Sequence, residues 1–365
     1  MTSVSPAPDR PLRVVALGGG HGLSASLSAL RLVTDHLTAV VTVADDGGSS
    51  GRLRAAYDLL PPGDLRMALT TLAADSPRAA LLREVFQFRF PPGRDIHGAY
   101  AELTGHPVGN LLLAGLMLHT DDPIGALDTV GQLLGLPEHT RVLPMSREPL
   151  DIAAQVHGLD GTDALVTVRG QVEVATTRGR VLSVHLLPTN PAACPEAIEA
   201  IEGADAIVLG PGSLFTSVLP HLLLPELRKA ITASAATKVL VLNLVAQPGE
   251  TDGFSPESHL EVIAALVPEL TFDWVVAHAP GQRPSADDDP AEPPVDRRDG
   301  SHFRRAGDQV VSEERVKRDL IGGLHAAADA LGARVHLAPI ARTDSPGVHD
   351  TAALAQALRS VLVSG

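Results

Sequence analysis

Short runs of continuous apolar residues, most followed by stretches in which apolar positions recur every three or four residues, dominate the chain. The first, at 14–17 (VVAL), runs into Gly18, Gly19, Gly20, His21 and Gly22, after which Leu23, Leu27 and Leu30 recur at helical spacing. A strand covered on both faces needs no polar alternation, whereas a helix burying one face repeats every 3.6 residues. The pattern predicts a strand, a tight turn and a helix. LTAVVTV (37–43), DAIVLG (205–210), KVLVLNLV (238–245), WVVAHA (274–279) and RVHLAPI (334–340) read as further strands, and 257–267 and 351–363 as helices. Alternation of this kind predicts an α/β fold, a Rossmann-like parallel sheet flanked by helices.

Two stretches break the alternation. Residues 152–188 alternate apolar and polar positions between Gly and Thr-Arg-Gly turns, which reads as a small antiparallel β insertion. Residues 281–309 are rich in Pro, Asp and Arg without periodicity and are expected to form a disordered or mobile surface loop. With 1–11 as a flexible N-terminus, 12–365 is expected to form one domain carrying both embellishments. That is longer than the ~150 residues usual for a domain but within reach of a large α/β unit.

Composition narrows the partners. Of 365 residues, 44% are apolar and 20% charged, as in a globular protein with a substantial core. The formal net charge of −14 works against non-specific binding to nucleic acid or an anionic membrane surface. Aromatics at 3% argue against a stacking platform for single strands. Cys194 is the single cysteine, so there is no intrachain disulfide and no thiolate cage. The start MTSVSPAPDRPL has no apolar leader core, and no apolar run approaches the ~20 residues of a membrane span, so the expected location is cytoplasmic.

Candidate chemistry gathers where strands end. Glycines at 18–22 let a ligand approach the main chain, and the following helix start offers unpaired N–H groups to an anion. The spacing is neither G-x-G-x-x-G nor a Walker A loop. After the second strand, ADDGGSSGR brings together Asp45, Asp46, Gly47, Gly48, Ser49, Ser50, Gly51 and Arg52, a set suited to ribose hydroxyls, phosphate or Mg²⁺. Read as structure alone, it is a solvated turn. In PPGDLR, Asp64 is a helix-capping candidate, while Arg66 so near a helix start suggests a ligand or acidic neighbour. Asn110 in GHPVGN either reads a base or sugar or caps its helix. A second turn, GPGSLFTS, places Gly210, Gly212, Ser213, Thr216 and Ser217 after another strand, and two such turns suit a diphosphate. Asn243, Gln247, Glu250, Thr251 and Asp252 follow a further strand and fit sugar hydroxyls. No H-E-x-x-H, C-x-x-C or G-x-S-x-G spacing supports a zinc site or a serine hydrolase.

Seven ordered motifs, GGGHGLSASL, VTVADDGGSSGRLR, PPGDLR, FQFRF, GHPVGNLL, GPGSLFTS and QPGETDGF, make the chain resemble the YvcK group of gluconeogenesis factors within the CofD-like superfamily, over roughly residues 12–280. The resemblance implies a cytoplasmic regulator that binds UDP-sugars, notably UDP-N-acetylglucosamine. It also implies support of cell shape and peptidoglycan precursor supply during gluconeogenic growth, with a protein partner and self-association. The ligand would lie on Gly18–Gly22, Asp45, Asp46, Gly47, Ser49, Ser50, Arg52, Asp64, Arg66, Asn110, Gly210, Gly212, Ser213, Thr216, Ser217 and Phe254. The alternative implied by CofD itself is a Mg²⁺-dependent 2-phospho-L-lactate transferase with the metal at Asp45 or Asp46. An NAD(P)-binding protein is the weaker alternative, since Asp45 lies ~20 residues beyond the glycines, as a ribose-binding acid should. The chain departs from the family pattern at His21, where many relatives have Thr, and at Phe254, where Tyr is common. Val348-His349-Asp350 stands where the family reads Arg-His-Asp, with Arg342 the nearby substitute.

Overall fold

The computed structural model describes residues 10–94, 101–159, 164–177, 179–245, 255–279 and 322–363. The segment 281–309 and Phe254, with Gln247, Glu250, Thr251 and Asp252, lie outside the described residues.

Seven strands form one parallel sheet in the order β10-β9-β8-β7-β1-β2-β3. These are β1 (Val14–Gly18), β2 (Leu37–Val41), β3 (Arg141–Pro144), β7 (Ala206–Leu209), β8 (Thr237–Val241), β9 (Trp274–His278) and β10 (Arg334–Ala338). All five residues of β1 are buried, as befits the central strand of a sheet covered on both faces. The six strands expected from apolar runs are all present. β8 ends at Val241, before the apolar run does, because Asn243 leaves the sheet to bind another loop. β3 has no counterpart among the apolar runs. Its four residues are too short a run to stand out from the helix before it.

The helical layers follow from the same alternation. Helix α1 (Gly20–Leu30) buries Leu23, Leu27 and Leu30 and packs between α3 (Pro62–Leu72) and α13 (Thr351–Leu362). Burying one such leucine contributes roughly 1.5–3 kcal/mol. Helices α2 (Gly48–Tyr57), α4 (Pro77–Gln87), α5 (Val108–Thr120) and α6 (Pro123–Leu133) complete the first half, and α8 (Pro195–Glu202) packs on α10 (Pro225–Ala233) in the second. Helix α11 (Pro256–Leu266) and α12 (322–329) precede β9 and β10. Among the described residues, no helix is long and apolar enough to cross a membrane.

The insertion is a three-stranded antiparallel sheet, β5-β4-β6, made of β4 (Asp151–His157), β5 (Leu165–Arg169) and β6 (Arg180–Leu187). One part of it departs from the alternation rule. Residues Gln171–Ala175 read apolar-polar like a strand, yet they form a short helix, α7. Gly170 enters it at φ 109°, Val174 is buried, and the Val174 N–H closes the turn on the Gly170 carbonyl.

Strand order sets the position of the site. The chain runs outward from β1 through β2 to β3, then returns to β7 on the other side of β1 and runs outward again to β10. Such a reversal opens a crevice at the carboxyl ends of the two strands beside it. Both glycine turns are therefore neighbours at that crevice.

Candidate functional site

The two turns are fastened to each other. Leu17 accepts the Gly210 N–H at 3.1 Å, and the Ser26 hydroxyl of α1 donates to the Gly210 carbonyl at 2.6 Å. Gly22 lies so close to the second turn that a Cβ there would overlap the Pro211 carbonyl. Gly19 is hemmed in likewise by Thr42, Asp64 and Ser217. At these two positions glycine is required by close approach. Gly20 and Gly210 are required for another reason, φ values of 55° and 76°.

Helix α1 starts with Gly19 at its N-cap, without a side-chain cap and without an acidic residue in its first turn. Of its first N–H groups, that of Gly20 is taken by Asp64, and those of His21 and Gly22 are left for other acceptors. The second turn leads into a π-helical turn, Leu214–Val218, in which Val218 N–H reaches back to the Ser213 carbonyl at 2.9 Å. Thr216 N–H donates to the Ser213 hydroxyl at 3.1 Å, and a short helix, α9 (Leu219–Leu223), follows. Asn243 at the end of β8 pairs with Gly212 through both its oxygen and its nitrogen.

Between these elements lies a cleft of about 660 Å³. Gly19–Gly22 form one wall and Pro211–Ser213 with Thr216 and Ser217 another. Gln171 of α7, Leu244, Val245 and Gly347–His349 close the remainder. The described lining contains no Asp, Glu, Lys or Arg. An anion would thus meet backbone N–H groups, hydroxyls and His21, and no carboxylate. Val348 is half exposed at the rim, and Arg342 is held outside the lining by two bonds to Asp344 of 2.9 and 2.7 Å. Burial pushes the His349 imidazole down to about 4.

A second set of expected residues sits behind Gly19 instead of in the cleft. Asp45 accepts the Gly47 N–H at 3.0 Å and is held above its ordinary value by burial. Asp64 lies beside it and accepts from the Gly20 backbone. Although part of Asp64 reaches solvent, desolvation and the neighbouring Asp45 push its carboxyl up to about 7. Ser50 accepts the Gly63 N–H at 3.0 Å below the pair. Asp46 turns elsewhere: its Oδ2 accepts Gln171 N–H at 2.8 Å and its Oδ1 accepts Val172 N–H at 3.1 Å. The two expected metal candidates thus part ways: Asp46 caps α7, while Asp45 lies beside Asp64. Among the described residues, no group of three or more His, Cys, Asp or Glu side chains is arranged to hold a metal. Burial disfavours the charged forms of both Asp45 and Asp64, so a cation brought beside them would favour their ionisation.

Behind the carboxylates runs a buried polar chain. Arg66 Nε donates to Asn110 Oδ1 at 2.8 Å, Asn110 Nδ2 donates to the Ser49 hydroxyl at 3.0 Å, and Ser49 pairs with His106 Nδ1 at 2.7 Å. Gln87 completes it through Arg66. Asn110 is only 2% exposed, so its amide serves this chain and does not open on the cleft. Burial lowers Arg66 to about 10 and also lowers His106. Arg52 is exposed and donates to the Thr104 carbonyl at 2.7 Å. Gln171 was missed by sequence reasoning, since its strand-like surroundings carry no signal of a helix start at a distant cleft.

Comparison with known proteins returns the same constellation of relatives. The sequence profile of the family described as 2-phospho-L-lactate transferase CofD matches residues 14–315. A Mycobacterium tuberculosis protein provisionally named gluconeogenesis factor is 46% identical over 349 residues, 95% of this chain and 90% of its own. A Listeria monocytogenes protein named gluconeogenesis factor is 41% identical over 72% of this chain and 76% of its own. The crystal structure of a member of the UPF0052 family from Bacillus halodurans superposes with a TM-score of 0.74 at 32% identity, covering 96% of this chain and 99% of that one.

Proposed function

The chain belongs to the CofD family, and on that premise we propose that it binds a nucleotide sugar, UDP-N-acetylglucosamine first among them, and acts as a regulator. The observation that carries this reading is the cleft where two glycine turns converge without a lining carboxylate. A diphosphate repels carboxylates and is favoured by helix-start N–H groups, and a volume of about 660 Å³ suits a ligand of this size. Hydroxyls of Ser213, Thr216 and Ser217 add donors that carry no charge. The described lining holds no Cys or Lys to act as a nucleophile.

The names of the relatives support a gluconeogenic setting. The proposal extends to a cytoplasmic protein that supports cell shape and peptidoglycan precursor supply through self-association and a protein partner. That part rests on the resemblance to the YvcK group.

The CofD profile and the Asp45–Asp64 pair favour a second reading, a transferase acting on a nucleotide-activated donor. Mg²⁺ held by Asp45 and Asp64 would supply charge neutralisation for a diphosphate leaving group. Titration calorimetry with UDP-N-acetylglucosamine, UDP-glucose, GDP and NADPH, with and without Mg²⁺, followed by chromatography of the mixtures, separates the two. Saturable binding of a UDP-sugar recovered intact supports the regulator. Release of a nucleoside monophosphate, or a preference for GDP with Mg²⁺, overturns it in favour of the transferase.

A further inference from the structure

We infer that Gln171 is a specificity-determining contact for the sugar or base end of the nucleotide, and that Asp46 is the residue that positions it. This rests on the nucleotide-sugar reading of the cleft. Gln171 is the one described lining residue that the antiparallel insertion contributes; the others come from the ends of the parallel strands and the helices that follow them. It is the first residue of α7, and the two N–H groups that open that helix, those of Gln171 and Val172, are both taken by the Asp46 carboxylate. Asp46 belongs to the loop between β2 and α2, so its side chain ties the insertion to the main sheet at the edge of the cleft.

The backbone on the other side of Gln171 is equally constrained. Gly170 sits at φ 109°, and a side chain there would run into the carboxylates of Asp46 and Glu173. Its N–H is held by the Ile152 carbonyl at 2.8 Å, and buried Val174 anchors the far end of the turn. The backbone at Gln171 is thus fixed from three directions.

The chemistry divides accordingly. The first turn offers helix-start N–H groups to phosphates, and the second, whose Gly210 and Gly212 N–H groups are held by Leu17 and Asn243, offers the hydroxyls of Ser213, Thr216 and Ser217; neither reads anything beyond them. A glutamine amide offers an acceptor and two donors, which suits hydroxyl, acetamido or uracil groups and adds no charge. A site built to hydrogen-bond such groups discriminates against analogues that lack them.

The test uses the full chain with UDP-N-acetylglucosamine, UDP-glucose and UDP as probes. Gln171→Ala is expected to weaken UDP-N-acetylglucosamine by about tenfold or more, the worth of one good hydrogen bond, while UDP changes by less than about threefold. Asp46→Ala is expected to show the same loss of selectivity, Asp46→Asn an intermediate one, and the double variant no further loss than either single. Hydrogen exchange of amides 171–175 in the unliganded protein should quicken in Asp46→Ala and not in Gln171→Ala.

A ratio of UDP-N-acetylglucosamine to UDP affinity unchanged in Gln171→Ala overturns the contact. Equal and additive weakening of both nucleotides by Asp46→Ala overturns the positioning role in favour of direct phosphate or Mg²⁺ contact. Failure of the wild type to bind any of the three overturns the nucleotide-sugar reading and the Gln171 contact together. The exchange rates of α7 in Asp46→Ala then still decide whether Asp46 holds that helix.

Discussion

The Asn243 side chain grips the Gly212 peptide from both sides: its Oδ1 accepts the Gly212 N–H and its Nδ2 donates to the Gly212 carbonyl, each at 2.8 Å. One amide thus fixes the second glycine turn from the end of the neighbouring strand. Asn243→Ala orphans both groups and should cost about 1–3 kcal/mol, with Asn243→Asp, which keeps the acceptor only, in between. Urea denaturation checks this as a lower midpoint at unchanged slope.

Gly22→Ala places a methyl against the Pro211 carbonyl and the Gly212 Cα. The backbone at Gly22 needs no left-handed conformation, so the effect is purely steric: about 1–3 kcal/mol of overpacking, accompanied by loss of nucleotide affinity as the turns separate. Gly115→Ala is the contrasting case, because a Cβ there meets nothing within 4 Å on the exposed face of α5. It should stabilise by up to ~1 kcal/mol. Thermal denaturation of both variants reads the two signs.

Asp64 gives stability an unusual pH dependence. Its folded carboxyl lies near 7, above the unfolded value of 3.8, so the folded state holds more protons between those limits. Stability from this group is fully present below about 4 and is lost as pH rises towards 7. His221 and His349 act oppositely. Both are depressed to about 4 by burial from an unfolded value of 6.5, so their share is full above 6.5 and is lost as pH falls towards 4. Asp64→Asn should therefore flatten the decline between pH 4 and 7, measured as denaturation midpoints across pH, and a slope unchanged by the substitution would contradict it.

Asn110→Ala removes the partner of Arg66 Nε and of the Ser49 hydroxyl inside a buried chain. Stability should fall by about 1–3 kcal/mol per group left unsatisfied. Arg66→Lys should not rescue the loss seen on removing the guanidinium, since a lysine ammonium cannot serve Asn110 and Gln87 in the fork geometry of arginine. Denaturation of the two variants in parallel tests whether the chain acts as a unit.

What could be read from the sequence was what is local. β1, its glycine turn and α1 follow from an apolar run, a cluster of glycines and leucines at helical spacing, all within 17 residues. GPGS repeats that logic at β7. Neither turn announces that it touches the other, because the Ser26–Gly210 bond spans 184 positions. Asp45 and Asp46 are adjacent in sequence and look equivalent, yet one faces Asp64 and the other caps α7, 125 positions away. The strand-like alternation of Gln171–Ala175 is overruled by that cap and by the left-handed entry at Gly170. Asn110 carries a helix-start signal but its amide is taken by two other buried polar side chains, Arg66 and Ser49.

The claim that both turns cradle one diphosphate is tested most directly by hydrogen exchange of the full chain with and without UDP-N-acetylglucosamine. Slowed exchange at residues 19–22 together with 212–213, from a nucleotide recovered intact, is the predicted result. Slowing confined to one turn, or to the face bearing Arg13 and His139 at the opposite end of the sheet, would contradict it.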